Sequence, residues 1–269
     1  MKLAFSTLGC PSWSWEEIFV TAKDLGFTGI EIRGIEDELY APKARPFSEA
    51  NIKHTKEQLA KANVEISMLT TGICLSTGDE TEIMKAAEDY ILLAEKLQVK
   101  YIRLMVTGSP QPEGEIDLDR TARIYALICD FAVSKGVSPL IETNGRFADT
   151  AYAAQFIKQI KKPNAGILWD IHHPYRFYHE TPQVSAQNLK GIVKYVHVKD
   201  SVMKGDAVTY RMMGYGDVPV LDALKELKAT GYDGFVSLEW VKRWNVDLEE
   251  AGIVFPHFAN YMEVLLKQI

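Results

Sequence analysis

Short apolar runs alternate with longer amphipathic stretches along the whole chain. The apolar runs, in order, are "KLAFST" (2–7), "GIEIRG" (29–34), "EISMLTTG" (65–72), "YIRLMVTG" (101–108), "SPLIETN" (138–144), "AGILWDI" (165–171), "VKYVHVKD" (193–200) and "GFVSLEW" (234–240). Their length and β-branched content mark them as strands. Between them, apolar positions recur every three or four residues over 14–26, 48–63, 80–98 and 117–136, and near 149–161, 184–190, 218–230 and 247–267, the period of a helix with one buried face. Ser14 reads as the N-cap of the first helix and Gly26 as its stop.

Eight strands alternating with eight helices specify parallel βαβ units, and that count favours a single (β/α)8 TIM barrel spanning residues 1–269 as one domain. An open doubly wound sheet is the competitor. It would carry a Gly-rich phosphate turn after the first strand, where this chain has "TLGCPSWSW". No linker or low-complexity tract divides the sequence.

The bulk composition narrows the function classes. A net charge of −6 and the absence of a basic stripe argue against a nucleic-acid partner. No apolar run approaches the ~20 residues that span a bilayer, and the opening "MKLAFSTLGCPSW" is too short in its apolar part for an export signal. Three widely spaced cysteines, Cys10, Cys74 and Cys129, suit neither a disulfide framework nor a zinc knot. The expectation is a soluble, cytoplasmic protein acting on a small molecule.

In a barrel the chemistry gathers where strands end. Glu142 in "LIETN", Asp170 in "ILWDI", His197 in "YVHVK" and Glu239 in "VSLEW" sit at or near the ends of four consecutive strands. Taken singly, an acid at a strand end is ordinarily a salt bridge or cap, and a histidine in a strand a hydrogen-bonded core residue. Four at equivalent positions are harder to reconcile with that, because carboxylates converging in an apolar interior repel one another and are costly to bury. A divalent cation resolves both problems. Three oxygens and one imidazole make a hard donor set, which puts Mn²⁺ first, with Mg²⁺, Co²⁺ or Zn²⁺ as alternatives.

The pieces "ETN" (142–144), "WDIHH" (169–173), "HVKD" (197–200), "GYGDVP" (214–219) and "SLEW" (237–240) together resemble the sugar phosphate isomerase/epimerase group. These are xylose-isomerase-like barrels that include ketose 3-epimerases, inosose isomerases and dehydratases and hydroxypyruvate isomerases. The resemblance covers essentially the whole chain. It implies a metal on Glu142, Asp170, His197 and Glu239, with Glu142 and Glu239 doubling as the catalytic acid–base pair, and with His173 touching substrate oxygen. It also implies a small sugar, keto-sugar or inositol-type substrate and a metal-stabilised enediolate, and it makes a homodimer or homotetramer an expectation. Two departures stand out. Asn144 occupies a place where many relatives have His, and the segment after His197 offers Lys199, Lys204 and the more distant Arg211 in place of the epimerases' Arg. The three-metal chemistry of endonuclease IV is excluded, since "EISMLTTG" and "YIRLMVTG" contain no His.

Substrate contacts are expected from Lys199, which alternates with His197, and from Asn144 and Arg211. Trp13, Trp15 and Trp240 flank strand ends and offer aromatic faces to a sugar, with ordinary packing as the alternative. Glu31 and Arg33 alternate on strand two, as an internal ion pair or a substrate contact, and Arg103 on strand four carries the same ambiguity. His172 is expected to pack or to hydrogen-bond in a loop, His179 to lie at the rim, 172–183 to form a loop that covers the pocket or meets a neighbouring subunit, and 210–219 to form a lid or turn. Isomerisation or epimerisation leads. The alternatives are a lyase or dehydratase acting through the same enolate, on a keto-inositol or a 3-keto-glycoside, and a non-catalytic sugar-binding barrel.

Overall fold

The computed structural model describes every residue from Met1 to Ile269 except Glu113. Eight parallel strands form a closed barrel: β1 (Lys2–Ser6), β2 (Gly29–Ile32), β3 (Glu65–Cys74), β4 (Tyr101–Met105), β5 (Ser138–Glu142), β6 (Gly166–Asp170), β7 (Val193–Val198) and β10 (Phe235–Leu238). Their order around it is β1-β10-β7-β6-β5-β4-β3-β2. A separate antiparallel hairpin pairs β8 (Asp200–Lys204) with β9 (Ala207–Arg211). The helices are α1 (Trp15–Asp24), α2 (Ile52–Ala62), α3 (Glu80–Leu97), α4 (Leu118–Val133), α5 (Thr150–Ile160), α6 (His172–Tyr178), α7 (Pro182–Asn188), α8 (Val220–Ala229) and α9 (Ala251–Leu266). Among the described residues no helix is long and apolar enough to cross a membrane.

The chain divides into two compact units. The first joins Met1–Ile66 to Val196–Ile269. Its β1 pairs β2, with Ser6 beside Glu31, and β10, with Ala4 beside Ser237. Behind these strands Phe5 stacks against Phe255 (4.3 Å between centroids) and meets the edge of Phe27, which stacks in turn on Phe258. Gly29 is required here, because a Cβ would lie 2.4 Å from the Phe235 ring. Helix α1 begins with a complete capping box, Ser14 and Glu17 each accepting the other's backbone N–H.

The second unit, Ser67–Tyr195, carries β4, β5 and β6 in register, with Arg103 beside Leu140 and Glu142 beside Leu168. Tyr125 of α4 fixes the outer side of these strands. Its hydroxyl donates to Pro139 O (2.8 Å) and accepts from Gly166 N (3.2 Å).

Two segments differ from the sequence reading. The stretch expected as a loop at 172–183 contains helix α6 and the start of α7. Pro174 is tolerated because it lies in the first turn of α6, where its missing N–H has no intrahelical acceptor. The strand expected over 193–200 ends at Val198, and Asp200 opens the β8–β9 hairpin, whose last residues, Tyr210 and Arg211, fall in the segment expected as lid or turn. Gly205, at φ 59°, supplies the left-handed residue of its two-residue turn.

Candidate active site and metal centre

In the second unit two acids end adjacent strands, Glu142 on β5 (1% exposed) and Asp170 on β6 (0%). Arg103, pointing from β4, donates Nη1 to Glu142 Oε2 at 2.7 Å and Nη2 to Thr71 O at 2.7 Å. The guanidinium is thereby fixed between β3 and β5, and it holds the carboxylate in one orientation. A buried acid without such a partner would be strongly disfavoured. The ends of β5 and β6 are tied together by Thr143, whose hydroxyl donates to Asp170 O (3.1 Å) and accepts from Asp170 N (2.9 Å).

Asp170 also organises the start of α6. Its Oδ1 accepts the His172 N–H at 2.9 Å, and its Oδ2 lies 3.5 Å from His173 Nε2. His173 stacks on Phe177 one turn along (5.8 Å, 20°) and presents its edge to His172. Ligand atoms of Glu142, Asp170 and His173 lie within 4.8 Å of one another, and so do those of Asp170, His172 and His173, making a buried group able to hold a metal ion. Two carboxylates and an imidazole in such a space suit a divalent cation in donor type and charge. Asn144, 7% exposed, donates to Met105 Sδ at 3.6 Å, and its Oδ1 has no partner among the described residues.

In the first unit His197 of β7 lies between two acids, its Nε2 2.9 Å from Glu31 Oε2 and its Nδ1 3.5 Å from Glu239 Oε1. Lys199 Nζ donates to Glu239 Oε2 in a short ion pair. All four side chains are buried. Acid, imidazole, acid and ammonium thus alternate along one buried chain of polar contacts. Glu239 follows the last residue of β10, and its N–H donates to Val198 O (3.0 Å), which sets its height beside β7.

Two further anchors hold the loops of this unit. The Asp200 carboxylate accepts four backbone N–H groups, from Ser201 (2.8 Å), Gly214 (2.9 Å), Gly216 (2.9 Å) and Val218 (3.2 Å). The "GYGDVP" motif is therefore a collar of amides around one acid. After β10, Lys242 donates Nζ to Val246 O (2.7 Å) and pairs with Glu250, while Trp240 Nε1 donates to Glu249 O (2.9 Å).

The remaining expected contacts fall as follows. Trp240 is 1% exposed and spends its indole N–H on the loop it anchors. Trp13 sets its ring edge-on to Phe255 (5.6 Å). Trp15 packs on Phe19 and Phe47 and donates to Gln58 Oε1 (3.2 Å). Arg211 ends β9, partly buried, with Nη1 3.4 Å from Tyr210 O. Glu31 faces His197, and the Arg33 guanidinium lies 5.4 Å from the centre of the Trp244 ring. His179, at φ 54°, ends α6. Sequence reasoning missed Glu31 as the partner of His197 and Asp200 as the centre of the amide collar. The alternation of Glu31 with Ile30 and Ile32 was the available signal for the first, and the pairing of "HVKD" with "GYGDVP" for the second.

A family described as "Xylose isomerase-like TIM barrel" matches residues 19–254. The chain belongs to this family. Among curated relatives, the fructoselysine 3-epimerase of Escherichia coli O157:H7 is 23% identical over 257 residues, covering 90% of each chain. Among solved structures, an IolI protein with a bound zinc atom superposes with a TM-score of 0.81 at 17% identity, over 100% of this chain and 99% of the other. A probable 3-DHS dehydratase, AsbF of Bacillus anthracis, superposes with a TM-score of 0.78 at 18% identity, over 98% and 99%. At such identities the structural likeness is one of fold.

Proposed function

We propose that the protein is a divalent-metal-dependent isomerase or epimerase of a small sugar or keto-sugar, working by proton transfer next to a carbonyl. The observation that carries the proposal is the buried group of Glu142, Asp170 and His173. In the proposal one cation is shared by Glu142, Asp170, His197 and Glu239, each buried at or near the C-terminal end of a strand, on β5, β6, β7 and β10, which are consecutive in the barrel. Mn²⁺ is the first candidate for this hard donor set. The curated relative named fructoselysine 3-epimerase supports the substrate class.

When bound, the cation supplies Lewis acidity toward a carbonyl oxygen, favouring charge development as the neighbouring proton leaves. The protein's own part is the handling of that proton. One of Glu142 and Glu239 accepts it from the carbon beside the carbonyl, and the other delivers one to the opposite face, which inverts the centre. Delivery to the former carbonyl carbon, with the neighbouring hydroxyl proton passing to the former carbonyl oxygen, gives isomerisation instead. Arg103 and Lys199 keep the two carboxylates in fixed orientations, and His173, Lys199 and Asn144 are the proposed donors to substrate oxygens. If the substrate carries a leaving group β to the carbonyl, the same proton removal ends in elimination, and the product distinguishes the outcomes.

The test is proton NMR of a panel of ketohexoses, 3-keto-glucosides, inosose and hydroxypyruvate incubated in D₂O with Mn²⁺-loaded protein, then separated from it. Loss of one α-proton signal with wild type and not with Glu142→Gln is expected. Absence of exchange across the panel, with Mn²⁺ demonstrably bound, would overturn the reading.

A further inference from the structure

The first unit contains a cleft of about 260 Å³ whose lining includes Trp15 and Glu16 at the start of α1, Glu36 beyond β2, Arg45, and His54 and Gln58 of α2. None of these except Trp15 was singled out by the sequence. The cleft has an aromatic wall, two carboxylates and one guanidinium, and the wall and one of the carboxylates are held in place. The Trp15 ring is clamped by Phe19 and by the edge of Phe47. Its indole N–H donates to Gln58 Oε1, and Gln58 Nε2 donates in turn to Glu16 Oε2 at 3.3 Å, so a hydrogen-bond relay orients the Glu16 carboxylate. Arg45 has its backbone carbonyl fixed by Ser48 Oγ and Asn51 Nδ2, both at 2.9 Å, while its residue stays exposed. Glu36 occupies a left-handed backbone position, φ 52°, that non-glycine residues seldom adopt, and its carbonyl accepts from Arg243 at 2.8 Å.

Charges of both signs beside an apolar wall suit a small zwitterion with a hydrocarbon stem. A neutral sugar needs neither the guanidinium nor two acids, and a simple anion would meet two carboxylates. We propose that this cleft binds an α-amino acid group: its ammonium at Glu16 and Glu36, its carboxylate at Arg45, and its methylenes along Trp15. The ligand is either a free amino acid or an amino acid carried by a larger substrate. Only the second source rests on the sugar-processing reading above.

Calorimetric titration of the full-length protein tests this with L-lysine, with cadaverine (which lacks the carboxylate), with Nα-acetyl-lysine (which lacks the α-ammonium), and with a ketose bearing lysine through its ε-nitrogen. The expectation is binding of L-lysine that weakens about tenfold or more for each truncated probe. Glu36→Gln should weaken L-lysine binding and spare Nα-acetyl-lysine, and Arg45→Ala should spare cadaverine. Both residues are exposed, so unchanged melting temperatures would certify the fold of the variants. If the ketose conjugate binds tenfold or more tightly than L-lysine, the source is a substrate substituent. Equal affinities identify a free amino acid. No heat of binding for L-lysine or the conjugate at millimolar concentration, or binding indifferent to both substitutions, would overturn the proposal. Neither result depends on α-proton exchange, so failure here is separable from failure of the enzymatic reading.

Discussion

Replacing Asp200 with Ala removes the acceptor shared by the amides of Ser201, Gly214, Gly216 and Val218. The acid is 2% exposed, and Ser201 and Val218 are buried, whereas Gly214 and Gly216 can turn to water. Each buried N–H deprived of its acceptor costs about 1–3 kcal/mol, and the solvated pair adds a few tenths each, for a total of about 2.5–7 kcal/mol. For a chain of this size each kcal/mol lowers the melting temperature by about 2 °C, so a drop of about 5–14 °C is expected in scanning calorimetry. Gly216→Ala attacks the same collar from the other side, since a Cβ there would lie 2.0 Å from Asp200 Oδ1 and 2.4 Å from Ser201 O. The two substitutions should be non-additive, the double variant losing less than the sum by about 1 kcal/mol or more, because removing the carboxylate relieves part of the clash. A drop below about 2 °C for Asp200→Ala, or strict additivity, would refute the collar as the element that fixes this loop.

Four further outcomes are expected. Burial raises the Cys129 thiol to about 12 and pushes Cys10 higher still, so at pH 8 neither supplies thiolate. A thiol reagent should titrate only the half-buried Cys74 in the native protein and all three cysteines after unfolding. Ser14→Ala should cost about 1 kcal/mol through its lost cap, read as a melting shift of about 2 °C. The Ser14 backbone N–H, then its hydroxyl, holds the Glu17 carboxyl below the usual range. The contribution of Glu17 is therefore present at neutral pH and disappears as pH falls through that lowered value, and the melting difference between wild type and Glu17→Gln should vanish with it. Finally, Mn²⁺ at 100 times its dissociation constant should stabilise the protein by about 2.7 kcal/mol, or about 5 °C, reversed by chelator and absent in Asp170→Asn.

Much of the barrel is legible in the sequence because its signals are local. Each strand is a short β-rich run between turn residues, and helices such as α3 (Glu80–Leu97) repeat their apolar face every turn. Helix α6 escaped because Pro174 and a crowd of aromatic and histidine residues look like a loop, and only its position in the first turn makes proline compatible with helix. The β8–β9 hairpin escaped because β7 was extended through Lys199 and Asp200, although the two-residue Gly205-Asp206 link between alternating positions is a hairpin signal. At the candidate site the residue types at strand ends were readable, but their partners were not. Glu31 meets His197 across 166 positions of sequence, and Arg103 meets Glu142 across 39. Such pairings arise from strand order and register, which no local pattern encodes.

The proposed metal centre has one divalent ion shared between the acid of β6 and the acid after β10. Electron paramagnetic resonance of Mn²⁺ titrated into the metal-free protein tests it most directly, with Asp170→Asn and Glu239→Gln alongside wild type. One tightly bound ion per chain is expected in wild type, with affinity losses beyond about 100-fold in both variants, more than the loss of an outer partner produces. Tight one-to-one binding that survives Glu239→Gln while Asp170→Asn abolishes it would contradict a shared ion.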